Sequence, residues 1–380
     1  MLLSNSLKTW YLIATFALIG FKSTAQVLPK KHKKWHIDSL FSKPLSLIIV
    51  PTIQNAPETS WNFGAGVSYY FNTEKPFDTL TPTRLSSLVV QGTYSLKKQL
   101  FLESRWQIFT KNEQMLHRGN LSYTNFFDKF WGIGNASSST NLNEFSFSRV
   151  QLQVNSLRQI KRNIFLGLGY QYSQFSNIDW FIKSDNFSPN LLVGNTGSLI
   201  SGIGPSLVAD FRDNPFSAKK GYFFELSALY YRNWLGSGYH FNEYLVDARK
   251  YISTFKNQVL AFQLFGNFMD GHVPFRELPR LGGPQIMRGY FNGRFTDKNL
   301  IVRQVEYRMP IWKPFACSFF ASTGQVAGHI NDFKVSGFKL AYGAGIRFLL
   351  NKKEHIYVRF DYARTSDADS GFYIRINDSF

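Results

Sequence analysis

The sequence predicts an all-β protein, a 16-stranded antiparallel transmembrane β-barrel. Three observations carry that reading. Aromatic residues make up 17% of the chain, with 38 Phe and 19 Tyr, a heavy loading for a soluble domain. From Leu45 onward the residues parse into segments with a period of two, the spacing at which a strand shows one face to lipid and the other to a lumen. The N-terminus reads as an export signal, which a protein bound for an outer membrane requires.

In that signal Lys8 supplies the positive n-region, Trp10 to Phe21 the apolar h-region, and Ser23-Thr24-Ala25 the small residues that a signal peptidase reads. The apolar stretch is well short of the roughly 20 residues that a spanning helix needs. Residues 1–25 are therefore expected to be removed, and no cysteine at the new N-terminus Gln26 offers a lipid anchor. Residues 26–43 form a short basic periplasmic tail with Lys30, Lys31, Lys33 and Lys34, either solvated or resting on anionic outer-membrane lipid. Residues 44–380 form the barrel.

The first strand is expected over 46–51, bracketed by Pro44 and Pro51, which cannot donate to a ladder. Strands then fall near 61–71, 84–94, 100–110, 116–127, 144–157, 163–175 and 198–212. The clearest is the seventh, where Ile164, Leu166, Leu168, Tyr170 and Tyr172 alternate with Gly167, Gly169, Gln171 and Ser173. A helix would instead repeat its apolar positions at three and four. The remaining strands fall near 222–234, 240–252, 258–270, 299–310, 316–329, 338–349, 355–363 and 371–380. In the fifteenth, Ile356, Val358, Phe360 and Tyr362 alternate with Tyr357, Arg359, Asp361 and Ala363. A charge facing lipid near the midplane costs about 2 to 4 kcal/mol, so Arg359 and Asp361 belong in the lumen, where they can pair.

An even strand number puts both barrel ends on one membrane face. The long connections 128–143, 176–197 and 271–298 then share one side, and the short ones 158–162, 253–257 and 350–354 the other. Only 72–83 is longer than this asymmetry wants. Lipid offers a bare backbone no hydrogen bonds, so the first and last strands must meet. The last carries Phe372, Ile374, Ile376 and Phe380 in phase, interrupted by Asp378. The short first strand predicts a weak seam.

Two further motifs point to one family. Residues Leu281 to Pro310 join a glycine-rich loop, with Gly282, Gly283 and Arg288-Gly289-Tyr290, to an alternating strand with Gln304, Glu306, Tyr307 and Arg308. Asp210-Phe211-Arg212-Asp213-Asn214-Pro215-Phe216, followed by Gly221, ends the eighth strand. Asp213 and Asn214 can bond their own turn backbone, Pro215 fixes the chain direction and Gly221 permits an unusual dihedral. Together these resemble the signature loop and periplasmic turn of the BamA/TamA superfamily of outer-membrane β-barrels (bacterial surface antigen family). The C-terminal strand resembles the signal by which the barrel-assembly machinery recognises its clients. The resemblance implies that the loop between strands 11 and 12 folds into the lumen and that Arg288 is held there by Glu306.

The chain departs from that family twice. The acid of the following F-x-D-x-G pattern is replaced by Ser322 in Phe320-Ala321-Ser322-Thr323-Gly324, which leaves Glu306 as the single charged partner of Arg288. Residues 26–43 are too few to fold as a POTRA domain, so this is expected to be a POTRA-less member. The resemblance implies a translocation or assembly channel, or an insertase-like scaffold for protein or lipid, plugged by the Arg288 loop and working with a separate periplasmic partner. The alternative is a passive or gated solute pore.

Other functions find little support. Loss of Lys8 and Lys22 lowers the net charge only from +18 to +16, but the charges are scattered and an exported chain seldom meets nucleic acid. The lone Cys317 excludes an internal disulfide and multi-cysteine metal sites. His32, His36, His117, His240, His272, His329 and His355 lack metal-ligand spacing beyond the isolated His32/His36 pair. No G-x-S-x-G elbow, H-E-x-x-H or phosphate loop occurs. No catalytic residue, cofactor or metal is expected, and the protein reads as non-enzymatic.

Overall fold

A computed structural model describes residues 47–56, 60–73, 83–185, 187–312, 314–351, 356–376, 378 and 380. The signal peptide, the basic tail, Pro44 and the His32/His36 pair lie outside the described residues. The strands are β1 Leu47–Ala56, β2 Ser60–Phe71, β3 Ser86–Ser95, β4 Leu100–Phe109, β5 Met115–Phe130 and β6 Asn143–Lys161. Next come β7 Ile164–Phe181, β8 Ser198–Asp210, β9 Gly221–Tyr231, β10 Phe241–Ser253, β11 Val259–Gly271, β12 Arg280–Leu281 and β13 Phe295–Thr296. The last are β14 Asn299–Trp312, β15 Phe315–Ala327, β16 Lys339–Asn351, β17 Ile356–Thr365 and β18 Ser370–Ile376. Sixteen of them form one antiparallel sheet in chain order, β11 being followed by β14, while β12 and β13 pair only with each other.

Side-chain alternation builds the wall. On β7, Phe165, Gln171 and Ser173 are buried, while Leu166 and Leu168 are 43% and 57% exposed on the lipid side. On β17, Arg359, Asp361 and Ala363 face inward and Phe360 and Tyr362 outward. The long connections, between β5 and β6, β7 and β8, and β11 and β14, share one end of the barrel, and the short turns lie at the other. The segment between β2 and β3 stays long at the short-turn end. Arg84 anchors its exit there, bonded to Glu113 at 2.7 Å and Asp210 at 3.2 Å, with its plane 4.4 Å from the Phe109 ring.

The ends of the sheet differ from the sequence expectation. β1 runs on through Pro51 to Ala56 rather than stopping at 51. Among the described residues its one ladder partner is β2, and an edge strand tolerates a proline because one side needs no donor. β18 stops at Ile376 rather than running to Phe380. Phe372 is outward and 41% exposed, but Phe380 is buried against Ala218, Tyr251 and Ala261, out of the lipid-facing phase. The Asp378 carboxylate pairs with the lumenal Arg308 and Arg347, which draws it away from lipid. β18 lies alongside β1, yet among the described residues no rung joins them.

Inside, apolar layers flank a polar middle. At the long-loop end Phe130, Phe145, Phe147 and Phe175 pack around Phe275 of the β11–β14 connection. At the short-turn end Phe109, Leu116, Leu157, Phe165, Val208 and Phe223 form a second cluster. Between them lies a cavity of about 1050 Å³. If the outer face meets lipid, Leu264→Arg, at an outward position midway along β11 that is 48% exposed, is expected to destabilise the barrel by about 2 to 4 kcal/mol. Denaturant unfolding in lipid vesicles measures this, and an unchanged midpoint would reject the assigned face.

Candidate functional site in the lumen

The β11–β14 connection folds back into the barrel as a ribbon. Arg280 and Leu281 pair with Thr296 and Phe295, and the tip between them carries Arg288. Gly282 makes the fold-back possible at φ +115, where an added Cβ would lie 2.1 Å from the Phe291 carbonyl oxygen. Gly283 N–H donates to Tyr290 O at 3.0 Å. Gly289, at φ +110, presses so closely on β17 that an added Cβ would lie 2.9 Å from Thr365 Cγ2. Both flanks of Arg288 are pinned: Met287 N–H donates to Gln304 Oε1 at 3.2 Å and Gly289 N–H to the Tyr373 hydroxyl at 3.1 Å. Tyr290 sits in an apolar cluster with Leu281, Met287 and Phe295, its hydroxyl 3.0 Å from Ser366 Oγ.

Arg288 is 1% exposed. Its Nη2 donates to Glu306 Oε2 and its Nη1 to Asp361 Oδ2, each at 2.7 Å, and its plane lies 3.4 Å from the centroid of Phe320. Glu306 lies seven residues down β14 from Asn299, about 23 Å along the strand at about 3.3 Å per residue, so the tip reaches deep into the lumen. Glu306 also accepts from Arg308 Nε at 2.9 Å and from Arg347. Arg308 and Arg347 both bond Asp378, and Arg359 Nε lies 3.2 Å from Asp361 Oδ2. Buried guanidinium groups persist when paired and hydrogen-bonded, and this network does both for Arg288, Arg308 and Arg347.

The expectation that Glu306 is the single charged partner of Arg288 is corrected by Asp361. Ser322 faces inward at the position of the missing acid but donates to the Ala341 carbonyl at 3.5 Å. Phe320, opposite Glu306 in the β14–β15 register, lies beneath the guanidinium, and β17 supplies the second carboxylate. Sequence motifs miss Phe320, Arg308, Arg347 and Tyr373 as parts of this lock. Alternation does assign Arg359 and Asp361 to the lumen, and that was the signal from which Asp361 could be found.

The turn motif lies at the short-turn end, away from Arg288. Asp210 receives Arg212 Nε and Nη2, both at 2.8 Å, and Arg212 Nη1 donates to Pro215 O at 3.2 Å. Asn214 Oδ1 accepts from the N–H groups of Phe216 and Ser217, and Asp213 Oδ1 from those of Lys219 and Lys220. Gly221, at φ +105, returns the chain to β9. Arg308 links the two places, because Nη1 donates to Ala218 O in this turn and Nη2 to Phe380 O. Of the closing-strand residues, Phe380 is therefore brought to the network and Phe372 is not.

The Omp85 superfamily domain matches residues 55–380. Among curated proteins no sequence matches this chain. BamA from Haemophilus ducreyi lacking POTRA domains 1–3 is similar in structure, with a TM-score of 0.54 at 12% identity over 87% of this chain and 70% of that one. CdiB from Escherichia coli gives a TM-score of 0.58 at 10% identity over 88% of this chain and 63% of that one. CdiB from Acinetobacter baumannii gives 0.54 at 13% identity over 87% and 59%. The chain thus spans less than two thirds of either CdiB, and identities this low establish a shared fold.

Glu306→Ala leaves Arg288, Arg308 and Arg347 short of a carboxylate and is expected to cost about 3 to 5 kcal/mol. Asp361→Ala should cost less, since Arg288 keeps Glu306 and Phe320. Limited proteolysis within residues 272–298 should therefore rank the loop as most accessible in Glu306→Ala, then Asp361→Ala, then wild type. Equal protection in all three would show that the ion pairs do not hold the loop.

Proposed function

We propose, from the premise that the chain belongs to the Omp85 superfamily, that it moves or inserts protein or lipid at the outer membrane, with the Arg288 loop as its lumen plug. Membership of that family supports an outer-membrane barrel in a translocation or assembly setting. The observation that carries the plug is the two-carboxylate grip on Arg288, which holds the ribbon across the lumen. The β1–β18 junction supports a lateral route. Separating paired strands in lipid leaves backbone groups unpaired at several kcal/mol each, so the junction where no rung joins the described residues is where the wall separates most easily. In this reading residues 1–25 direct export, the barrel-assembly machinery inserts the barrel, a separate periplasmic partner delivers the client, and no catalysis is involved.

A gated solute pore is the second reading, favoured by the polar cavity between the apolar layers. Deletion of residues 272–298 tests both. In planar bilayers the wild type should be closed and the deletion open, and cells carrying the deletion should show an outer-membrane assembly defect. A wild type already open and ion-selective, with normal assembly in the deletion strain, would favour the pore.

A further inference from the structure

The cavity carries charge that the plug does not use. Among the described residues eight arginines line it, of which Arg212 and Arg105 pair with Asp210 and Glu103 beside it. Several of these arginines are matched one to one, Arg118 with Glu225 and Arg249 with Asp247. Arg359 is not. It is 2% exposed, and its nearest carboxylate, Asp361, already receives Arg288. Asp361 Oδ2 lies 3.2 Å from Nε of Arg359, and neither Nε nor Nη1 has a hydrogen-bond partner among the described residues.

Register sharpens this imbalance. Arg359 on β17 stands directly opposite Arg347 on β16 and directly opposite Arg375 on β18. Facing side chains on neighbouring strands have Cβ atoms about 4.5 to 5.5 Å apart, and like charges placed so repel. Glu306 and Asp378 compensate Arg347 and leave Arg359 with half a carboxylate. A buried cation whose donors point into a cavity is stable only with a counter-charge.

We propose that the cavity wall at Arg359 binds an oxyanion of the phosphate class, with Arg375 as the neighbouring cation. A guanidinium presents parallel N–H groups that fit two oxygens of one anion. Two guanidiniums side by side favour a tetrahedral group, which offers oxygens in several directions, over a planar carboxylate. Both arginines line the cavity from facing positions on neighbouring strands, which sets them at a separation one anion can span. The phosphate arrives either as a free solute or as the headgroup of a lipid entering at the β18 edge. The site rests on charge and register and holds whether or not the barrel translocates a client.

The test uses the full barrel in phosphatidylcholine nanodiscs, titrated with pyrophosphate by calorimetry. Wild type should bind, and Arg359→Gln should bind about tenfold more weakly or worse, as expected for loss of a charged hydrogen bond. Arg359→Lys should fall between, because lysine keeps the charge but not the two-pronged donor. Heat-modifiable gel mobility establishes that each variant is folded. Repeating the titration in phosphatidylglycerol nanodiscs, in high salt to screen the surface field, separates the sources. A headgroup seated at Arg359 competes pyrophosphate out of the wild type, whereas a site for free anions keeps its affinity. No binding by wild type, or undiminished affinity in folded Arg359→Gln, overturns the proposal. If the glutamine variant does not fold, undiminished affinity in Arg359→Lys overturns it.

Discussion

The carboxylate of Glu306 is the interaction on which the interior depends. It is fully buried and accepts from three arginines on three different elements: Arg288 from the ribbon, Arg308 from its own strand and Arg347 from β16. Taking each ion out of water costs several kcal/mol even after relaxation, and one pair alone rarely repays it. Here one carboxylate serves three cations, and two of those cations pass the linkage on to Asp378. Such a network is cooperative, because losing one member strands the others in a medium that cannot solvate them.

That cooperativity explains why distant parts of the chain meet. Arg308 holds the carbonyls of Ala218 in the β8–β9 turn and of Phe380 near the last strand while bonding Glu306. The β8–β9 turn and the closing segment thus share the Arg308 side chain, which reaches the glycine-rich loop through Glu306. The turn's own bonds, through Asp210, Asp213 and Asn214, keep the Ala218 carbonyl where Arg308 can use it. Rigidity at the short-turn end and the position of the ribbon are coupled through charge rather than through apolar packing.

The sixteen barrel strands were legible because a lipid-facing wall imposes a period of two, and the observed segments fall where alternation puts them. The ends of the sheet were less legible. An edge strand is free of the rule that excludes proline, so Pro51 does not mark the end of β1. Asp378 interrupts the apolar phase of the last strand for a reason that lies in other strands, the charge of Arg308 and Arg347, which share Glu306 with Arg288 and need a second carboxylate. In the lock, Arg288 and Glu306 were legible from local motifs, whereas Asp361 and Phe320 depend on which strands the curved wall brings together. Ser322 shows the limit of a motif: the missing acid is replaced in space, not in sequence.

Arg288 bridges Glu306 on β14 and Asp361 on β17, three strand positions apart, or about 14 Å along the wall at about 4.8 Å per strand. Curvature and the long Arg288 arm bring both carboxylates within 2.7 Å of one guanidinium. The tip also touches the terminal strand, through Gly289 N–H and the Tyr373 hydroxyl. Any outward movement of β17 and β18, away from β14, must stretch both contacts at once. The ribbon therefore acts as a tie across the last strands of the sheet. In the lateral-route reading proposed above, separation beside β1 strains the grip on Arg288. In that reading, movement of the loop and opening of the seam share one set of bonds.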